Sequence, residues 1–457
     1  MPGKKKHFPV FAKRIGCIDL TSKVKGIFEL HGQGELFFSG AKVPRVPNFF
    51  CFDVFSPNMD VKYPYILLVA GLLVVISLLA TRFFRRWGVP SLLVTLGVGL
   101  LFGNGRRYDF DYNYPGLTLH ISEIALCIII FAGGLESNLK RFQPILKQGI
   151  ALATLGVVLT MVAFGAFAHY VLSWPWLPAL LLGAAVSSTD AAAVFSILEN
   201  SQLKLRKGVS ETLELESGTN DPMAYFLTLS LSELLLTPEG AEASGYLWLA
   251  GKFFWSMLVG WGTGLLAGRG LLLFINKLEL KRGQFPVLLL AGVIIVYAIN
   301  VITGGSALLA LYVMGILLGN APWIQRDINL NFFEGMSWLM ETALFLLLGL
   351  QVYLFELDEV FWEGLILALA LIFIARPIGT ILSLSFFKNC GRREKVFFSW
   401  VGLRGATPIV FALIPLVLHV PFAHKIFNVS FIIVVVSMLL QGTTVGRIAR
   451  FTELEDP

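Results

Sequence analysis

Long apolar segments separated by short polar loops make up most of the chain. A helix that crosses the hydrocarbon core of a bilayer needs about 20 mostly apolar residues. The second and ninth such segments are short, as expected for helices that tilt or pack deep within protein. The pattern predicts an all-α polytopic membrane protein with about 13 transmembrane helices. The candidate spans centre on 63–81, 89–103, 119–136, 148–171, 177–198, 212–236, 247–270, 285–302, 307–319, 336–354, 363–387, 396–417 and 427–446.

The loop charges support the same number of crossings. Lysine and arginine gather in every second loop, whereas the intervening loops are uncharged, acidic or weakly basic. Because strongly basic loops stay in the cytoplasm, the alternation predicts a cytoplasmic C-terminus and an outside start of the first span. We therefore expect a multi-pass protein of the inner, or plasma, membrane. The basic loop residues are Arg82, Arg85, Arg86, Lys140, Arg141, Lys147, Lys204, Arg206, Lys207, Lys277, Lys281, Arg282, Arg326, Lys388, Arg392, Arg393, Lys395, Arg447 and Arg450.

Composition agrees with a membrane protein. Hydrophobic residues make up 56% of the chain and charged residues 14%, against about 45–50% and a quarter in ordinary soluble domains. The net charge of +6 comes with basic residues in short loops, which is typical of membrane orientation and not of a nucleic-acid-binding face. The four cysteines are scattered and form no disulfide framework or metal-ligand spacing.

The first 58 residues do not fit the alternation of loop charges. They contain many lysines and arginines and no apolar run long enough for a signal peptide. We interpret residues 1–58 as a non-core extension, either a misassigned start before Met59 or a disordered tail, with a targeting or regulatory role as the alternative. Residues 59–450 are then the transmembrane domain, and residues 451–457 a short cytoplasmic tail.

Two carboxylates fall within apolar segments. Asp190 lies in the fifth predicted span and Asp221 in the sixth. A carboxylate in hydrocarbon costs about 3 kcal/mol or more, so it normally faces a wet cavity and marks a path for ions or protons. These two residues therefore indicate a transporter of small cations and not an enzyme.

Two of the predicted spans carry local breaks in the helical pattern. The fifth contains Ser187, Ser188 and Thr189 before Asp190, and these hydroxyl side chains compete for backbone hydrogen bonds. The twelfth contains Arg404 within a segment that has two glycines and a proline. Transporters often unwind two spans at matching positions of an inverted repeat, and the opposite charges would compensate half-helix dipoles. Kinks without function are the alternative.

The sixth span presents polar groups at helical spacing. Residues four apart share a helix face, so Ser217 and Asp221 lie together and Glu216 and Asn220 lie beside them. Pro222 cannot donate a backbone hydrogen bond and leaves a carbonyl free one turn earlier. Carboxylate, hydroxyl and carbonyl oxygens are hard ligands suited to an alkali cation. The alternative is that Asp221 caps a helix beginning at Pro222.

The eleventh span contains an arginine. Arg376 is surrounded by apolar residues, and an unpaired guanidinium at that depth is costly, so we expect a carboxylate partner. Glu216 is the favoured candidate, and Glu341 in the tenth span is the alternative.

These motifs together resemble the monovalent cation:proton antiporters of the NhaP and sodium/proton exchanger type. The resemblance covers roughly residues 60–450 and is closest to the potassium/proton antiporters called cell volume regulation protein A. Many relatives carry an acidic residue just before Gly133, where this chain has Ala132. The motifs are Ser188-Thr189-Asp190, Glu216-Ser217-Gly218-Thr219-Asn220-Asp221-Pro222, Phe345-Leu346-Leu347-Leu348-Gly349-Leu350, Ala375-Arg376 and Gly402-Leu403-Arg404-Gly405.

The resemblance implies a thirteen-span fold with inverted repeats and two broken crossing helices, assembled as a homodimer. It implies a monovalent cation site at Asp190, Ser217 and Asp221 with the Thr189 carbonyl. The supporting network comprises Glu216, Asn220, Arg376 and Arg404. The expected activity is exchange of protons for potassium or sodium, without a cofactor, in the service of cation, pH and volume homeostasis.

The stoichiometry follows from the titratable groups of the sixth span. Asn220 cannot titrate, so if Asp190 stays ionised, Asp221 alone exchanges its load and one proton moves for one cation. A cation channel and a sodium-coupled solute carrier are alternatives within transport. An intramembrane aspartyl protease would also need two buried carboxylates, but its Gly-x-Gly-Asp signature is absent, and ATP-driven transport lacks a Walker motif.

Overall fold

Helices account for nearly all of the described structure. In lipid, a single segment can satisfy its backbone N–H and C=O groups only by forming a helix, so long apolar segments fold as helices. The computed structural model describes residues 37–38, 41–42, 59–84, 90–104, 112–200, 203–236, 243–277, 281, 283–322, 326–388 and 390–455. The chain divides into two units, Met1–Ile66 and Leu67–Pro457.

The first unit contains two short antiparallel strands, β1 (Phe37–Phe38) and β2 (Ala41–Lys42), in which Phe37 pairs with Lys42. It also contains the first turns of α1. Residues 1–58 lie almost wholly outside the described part of the chain, so the interpretation of this segment as a non-core extension stays a prediction.

The second unit carries the remaining helices. Two π-helical turns join α5 to α6 and α14 to α15, at Leu152–Gly156 and Leu371–Ala375. The helices of the described chain are α1 (Met59–Phe84), α2 (Ser91–Phe102), α3 (Pro115–Glu136), α4 (Leu139–Phe142), α5 (Leu146–Ala151), α6 (Val157–Leu172), α7 (Trp176–Ala185), α8 (Ala191–Asn200), α9 (Val209–Leu236), α10 (Ala243–Lys277), α11 (Gln284–Thr303), α12 (Ala307–Asn320), α13 (Arg326–Gln351), α14 (Leu354–Ala370), α15 (Arg376–Ser385), α16 (Arg392–Trp400), α17 (Thr407–Val417) and α18 (Ala423–Phe451).

Eight helical segments of the described chain are long and apolar enough to cross a membrane. The shorter helices α2, α7, α12 and α17 are also apolar. The prediction of an all-α polytopic membrane protein is confirmed, whereas the number thirteen stays a prediction. The eight segments are Leu67–Phe84, Pro115–Glu136, Leu146–Leu172, Trp248–Ile275, Gln284–Thr303, Arg326–Gln351, Leu354–Ser385 and Ala423–Phe451.

The helices of the second unit pack as two bundles. In the first bundle α3 packs on α12 and α13, α2 on α13, and α12 on α10 and α11. In the second bundle α9 packs on α7 and α17, α6 on α7 and α15, and α18 on α14 and α17. The bundles meet where α3 contacts α9 and α17, and where α9 contacts α12. Much of α1 exposes apolar side chains, whereas α18 is largely buried.

Both predicted interruptions are present. Residues 186–190 separate α7 from α8, and residues 401–406 separate α16 from α17. Pro222 lies inside the continuous helix α9. The alternative that Asp221 caps a helix beginning at Pro222 is therefore wrong, because the apolar helix continues on both sides of this proline.

Candidate functional site

The two interrupted segments are joined to each other by hydrogen bonds. The Asp190 N–H donates to the Leu403 carbonyl at 2.8 Å. Arg404 Nη1 donates to the carbonyls of Ser187 and Ser188, at 2.8 and 2.5 Å. The end of a helix leaves carbonyls without partners and carries partial negative charge. Arg404, from the second interrupted segment, therefore provides a hydrogen-bond donor and a positive charge to the carbonyls that follow α7.

The Asp190 carboxylate lies at the start of α8. Its Oδ1 accepts from the Ala193 N–H at 3.1 Å, which is the favourable position for an anion at a helix N-terminus. Gly405 faces this carboxylate so closely that a Cβ at position 405 would lie 2.8 Å from Asp190 Cγ. The missing side chain of Gly405 is thus what leaves space for Asp190. The two breaks carry the opposite charges that the sequence predicted.

The polar face of α9 lies against the first break. Ser188 Oγ donates to Asp221 Oδ1 in a short hydrogen bond. Ser217 Oγ donates to the Thr189 carbonyl at 3.0 Å, and Asn220 Nδ2 donates to Thr189 Oγ1 at 2.6 Å. The structure therefore brings together the residues that the sequence proposed as a cation site, and it adds the Ser188 hydroxyl.

A cavity of about 600 Å³ ends at this cluster. Its wall includes Asp190 and Asp221 together with Glu136, Glu334 and Glu341. The outermost glutamates, at 136 and 334, are exposed, whereas the Asp221 residue is only 7% exposed. The cavity thus leads from solvent to a buried carboxylate, and it lies between α3, α12 and α13 of the first bundle and α9 and α17 of the second.

Arg376 and Glu216 form a buried ion pair beside the site. Arg376 Nη1 lies 2.6 Å from Glu216 Oε1, and the two side chains are 2% and 1% exposed. Arg376 Nη2 also donates to the Phe398 carbonyl at 3.2 Å. A Cβ on Gly402 would lie 2.6 Å from Arg376 Nε, so the glycine provides room for the arginine. The pair joins α15 to α9, which is the pairing the sequence favoured.

Glu341, the alternative partner, lines the cavity instead. Arg404 is also buried, in the segment between α16 and α17.

Several cavity residues were not predicted. Glu136, Glu214 and Glu334 line the wall, and they belong to α3, α9 and α13. The Tyr312 ring lies against Gly218, where a Cβ would be 2.6 Å from the ring carbon Cζ. Glu214 lies three residues before Ser217 and seven before Asp221 on the same face of α9, which was an available signal, whereas Glu136, Tyr312 and Glu334 lie on three other helices. Ser188 stands one residue before Thr189 in the fifth-span motif. This position was the signal that could have identified it as a member of the site.

Comparison with known proteins identifies the family. Residues 72–451 match the family model described as "Sodium/hydrogen exchanger, transmembrane", and the chain belongs to this family. It is 42% identical over 391 residues to "K(+)/H(+) antiporter NhaP" of Alkalimonas amylolytica. It is 40% identical over 398 residues to "K(+)/H(+) antiporter NhaP2" of Shewanella oneidensis. These alignments cover 86% and 85% of the chain and 67% of each relative, so the chain spans about two thirds of their length.

Solved structures share the fold. The sodium proton antiporter MjNhaP1 of Methanocaldococcus jannaschii at pH 8 matches with a TM-score of 0.73. The match covers 85% of this chain and 99% of that chain at 22% sequence identity. The chain therefore shares the overall fold of this protein.

Proposed function

We propose that the protein is a secondary antiporter that moves protons in one direction and a monovalent cation, potassium or sodium, in the other. The main support is the position of Asp221, a buried carboxylate in the wall of a solvent-exposed cavity that accepts a hydrogen bond from the Ser188 hydroxyl. Beside it, Ser217 and Asn220 donate hydrogen bonds to the carbonyl and hydroxyl of Thr189. Oxygen donors of this kind suit an alkali cation. Family membership and the names of the two bacterial relatives support the same activity.

Competition at Asp221 couples the two fluxes. A protonated carboxyl has lost the charge that attracts a cation, and a bound cation disfavours protonation. Ser217 and the Thr189 carbonyl contribute oxygen atoms beside Asp221, and Asp190 contributes a second negative charge at the start of α8. Each arrival of a proton therefore releases a cation, and each arrival of a cation releases a proton.

The supporting residues hold this cluster in position. Asn220 fixes the Thr189 hydroxyl, Arg404 fixes the carbonyls before it, and the Glu216–Arg376 pair anchors α9 to α15. All of these groups belong to the second bundle. Movement of this bundle relative to the first would carry the whole site as one body and change the side from which Asp221 is reached.

We place the protein in the plasma membrane with a cytoplasmic C-terminus, because basic residues gather in alternate loops. We further propose a homodimer, one-for-one exchange, and a role in cation, pH and volume homeostasis. The relatives named K(+)/H(+) antiporters favour potassium as a transported ion.

Proton flux in proteoliposomes tests the proposal. Purified protein is reconstituted with a pH-sensitive dye inside, and sodium, potassium or lithium is added in turn to one side. Antiport predicts that at least one of these ions dissipates an imposed pH gradient, whereas choline does not. A voltage-driven current without proton movement would instead identify a channel.

A further inference from the structure

A cluster of Glu123, Tyr225 and Tyr297 lies outside the cavity lining. Tyr225 donates its hydroxyl to Glu123 Oε1 at 2.8 Å, and Tyr297 donates its hydroxyl to Glu123 Oε2 at 2.9 Å. The Glu123 side chain is 13% exposed, and the mostly exposed His120 lies 3.5 Å from Oε2. Two phenol donors on one enclosed carboxylate satisfy both of its oxygens, which is the condition for keeping such a charge away from bulk water.

The two tyrosines come from different bundles. Glu123 is on α3 and Tyr297 on α11, so their hydrogen bond lies within the first bundle. Tyr225 is on α9 of the second bundle, and its ring packs edge-on against Phe411 of α17 with centroids 5.6 Å apart. The Glu123–Tyr225 hydrogen bond therefore joins the bundles, whereas the Glu123–Tyr297 bond does not.

The cluster lies beyond the end of the cavity. On α3 the cavity is lined from Leu126 to the C-terminal end, and Glu123 precedes that stretch. On α9 the cavity is lined as far as Asp221, and Tyr225 follows by four residues, or about 6 Å along the helix. The cluster thus lies on the side of Asp221 opposite the exposed glutamates of the cavity mouth. We call this the closed side.

We propose that the Glu123–Tyr225 hydrogen bond is a latch that seals the ion path on the closed side and breaks whenever Asp221 becomes accessible from that side. The inference rests on the proposed function, because it assigns a device for alternating access to the same site. Tyr297 keeps Glu123 oriented when Tyr225 departs. The freed carboxylate oxygen then binds water or a passing cation in the opened path, since an enclosed acceptor left without a partner is costly.

Cys127 offers a native probe of the latch. It is buried and lies one helical turn after Glu123 on α3. In a variant with serine at Cys17, Cys51 and Cys390, it is the remaining thiol. A membrane-impermeant thiol reagent is added to either side of vesicles of known orientation, and modification is followed by mass spectrometry. The assay needs no ion flux, so its failure is distinguishable from a failure of the proposed antiport.

Tyr225→Phe and Tyr297→Phe form a matched pair, since each removes one phenol hydroxyl from the same carboxylate. Loss of one hydrogen bond to a charged group changes an equilibrium by about tenfold or more. We expect Tyr225→Phe to raise the rate of Cys127 modification from the closed side about tenfold, and Tyr297→Phe to leave it near the parent rate. A parent-like rate in Tyr225→Phe, or equal increases in both variants, would overturn the latch.

Discussion

The Asp190 N–H donates to the Leu403 carbonyl at 2.8 Å, which ties one interrupted helix to the other. Arg404, the next residue after Leu403, donates back to two carbonyls of the first break. Buried backbone groups require partners, and each break supplies partners that the other lacks. A change in either break is therefore expected to disturb both.

Gly405→Ala is the first test of this mutual dependence. The new methyl group would lie against the Asp190 carboxylate, with Cβ 2.8 Å from Cγ. Overpacking of a dense site typically costs about 1–3 kcal/mol, so we expect a lower melting temperature in detergent together with slower cation-dependent proton flux.

Gly262→Ala is the matched control for this substitution. A Cβ at position 262 on α10 meets nothing within 4 Å. Alanine is favoured over glycine in a helix by up to about 1 kcal/mol, so stability should be unchanged or slightly higher. If Gly405→Ala behaves like this control, the close contact with Asp190 has no energetic consequence.

The Glu216–Arg376 pair is expected to be essential for stability. Removing one partner of a buried pair typically costs about 3–5 kcal/mol, because the other charge is left uncompensated. Glu216→Ala and Arg376→Ala should each lower stability by an amount of this order, since each leaves the other charge buried without its partner. The double variant should lose less stability than the sum of the single losses, by about 0.5–3 kcal/mol.

An exposed ion pair provides the reference for this comparison of single and double variants. It is Arg393–Glu453, whose side chains are 63% and 67% exposed. Its single alanine variants should change stability by less than about 1 kcal/mol. Thermal unfolding in detergent measures both cycles. Simple additivity of the Glu216 and Arg376 losses would mean that the two charges do not stabilise each other.

Transport is expected to be electroneutral. Asn220 donates an amide hydrogen to Thr189 and cannot titrate, so in the proposed mechanism, with Asp190 charged throughout the cycle, Asp221 alone would exchange a proton for a cation. The site then carries the same net charge whether Asp221 holds a proton or a monovalent cation. Proton flux should be insensitive to a membrane potential clamped with an ionophore, whereas Asn220→Asp should introduce a dependence on potential. A strong dependence in the unaltered protein would contradict one-for-one exchange.

Part of this site follows from the sequence because the relevant physics is local. The four-residue spacing places Ser217 and Asp221 on one helix face, and the structure confirms that both face the first break. The cost of an unpaired charge in an apolar segment led to the pairing of Arg376 with Glu216. Both inferences need only one helix or one energetic rule.

Other parts of the site depend on tertiary packing. The Arg404 partners are backbone carbonyls of residues 187 and 188, which no side-chain pattern reveals. The glutamates of the cavity wall come from α3, α9 and α13, and Glu123, Tyr225 and Tyr297 come from α3, α9 and α11. The π-helical turn at Leu371–Ala375, directly before Arg376, was likewise not predicted. The partners of Arg404 and the side chains gathered from several helices are defined only by tertiary packing.

Asp221→Asn is the decisive variant for the role of Asp221 as the shared binding site of protons and cations. The substitution keeps the shape of the side chain but removes the negative charge that binds a proton or a cation in turn. Asp358→Asn, at an exposed position of α14, makes the same chemical change away from the site. Both variants are reconstituted, and proton flux driven by potassium or sodium is compared at equal protein content. We expect flux to be lost in Asp221→Asn, which still folds, and retained in Asp358→Asn. Exchange at the parent rate in a folded Asp221→Asn protein would remove Asp221 from the mechanism.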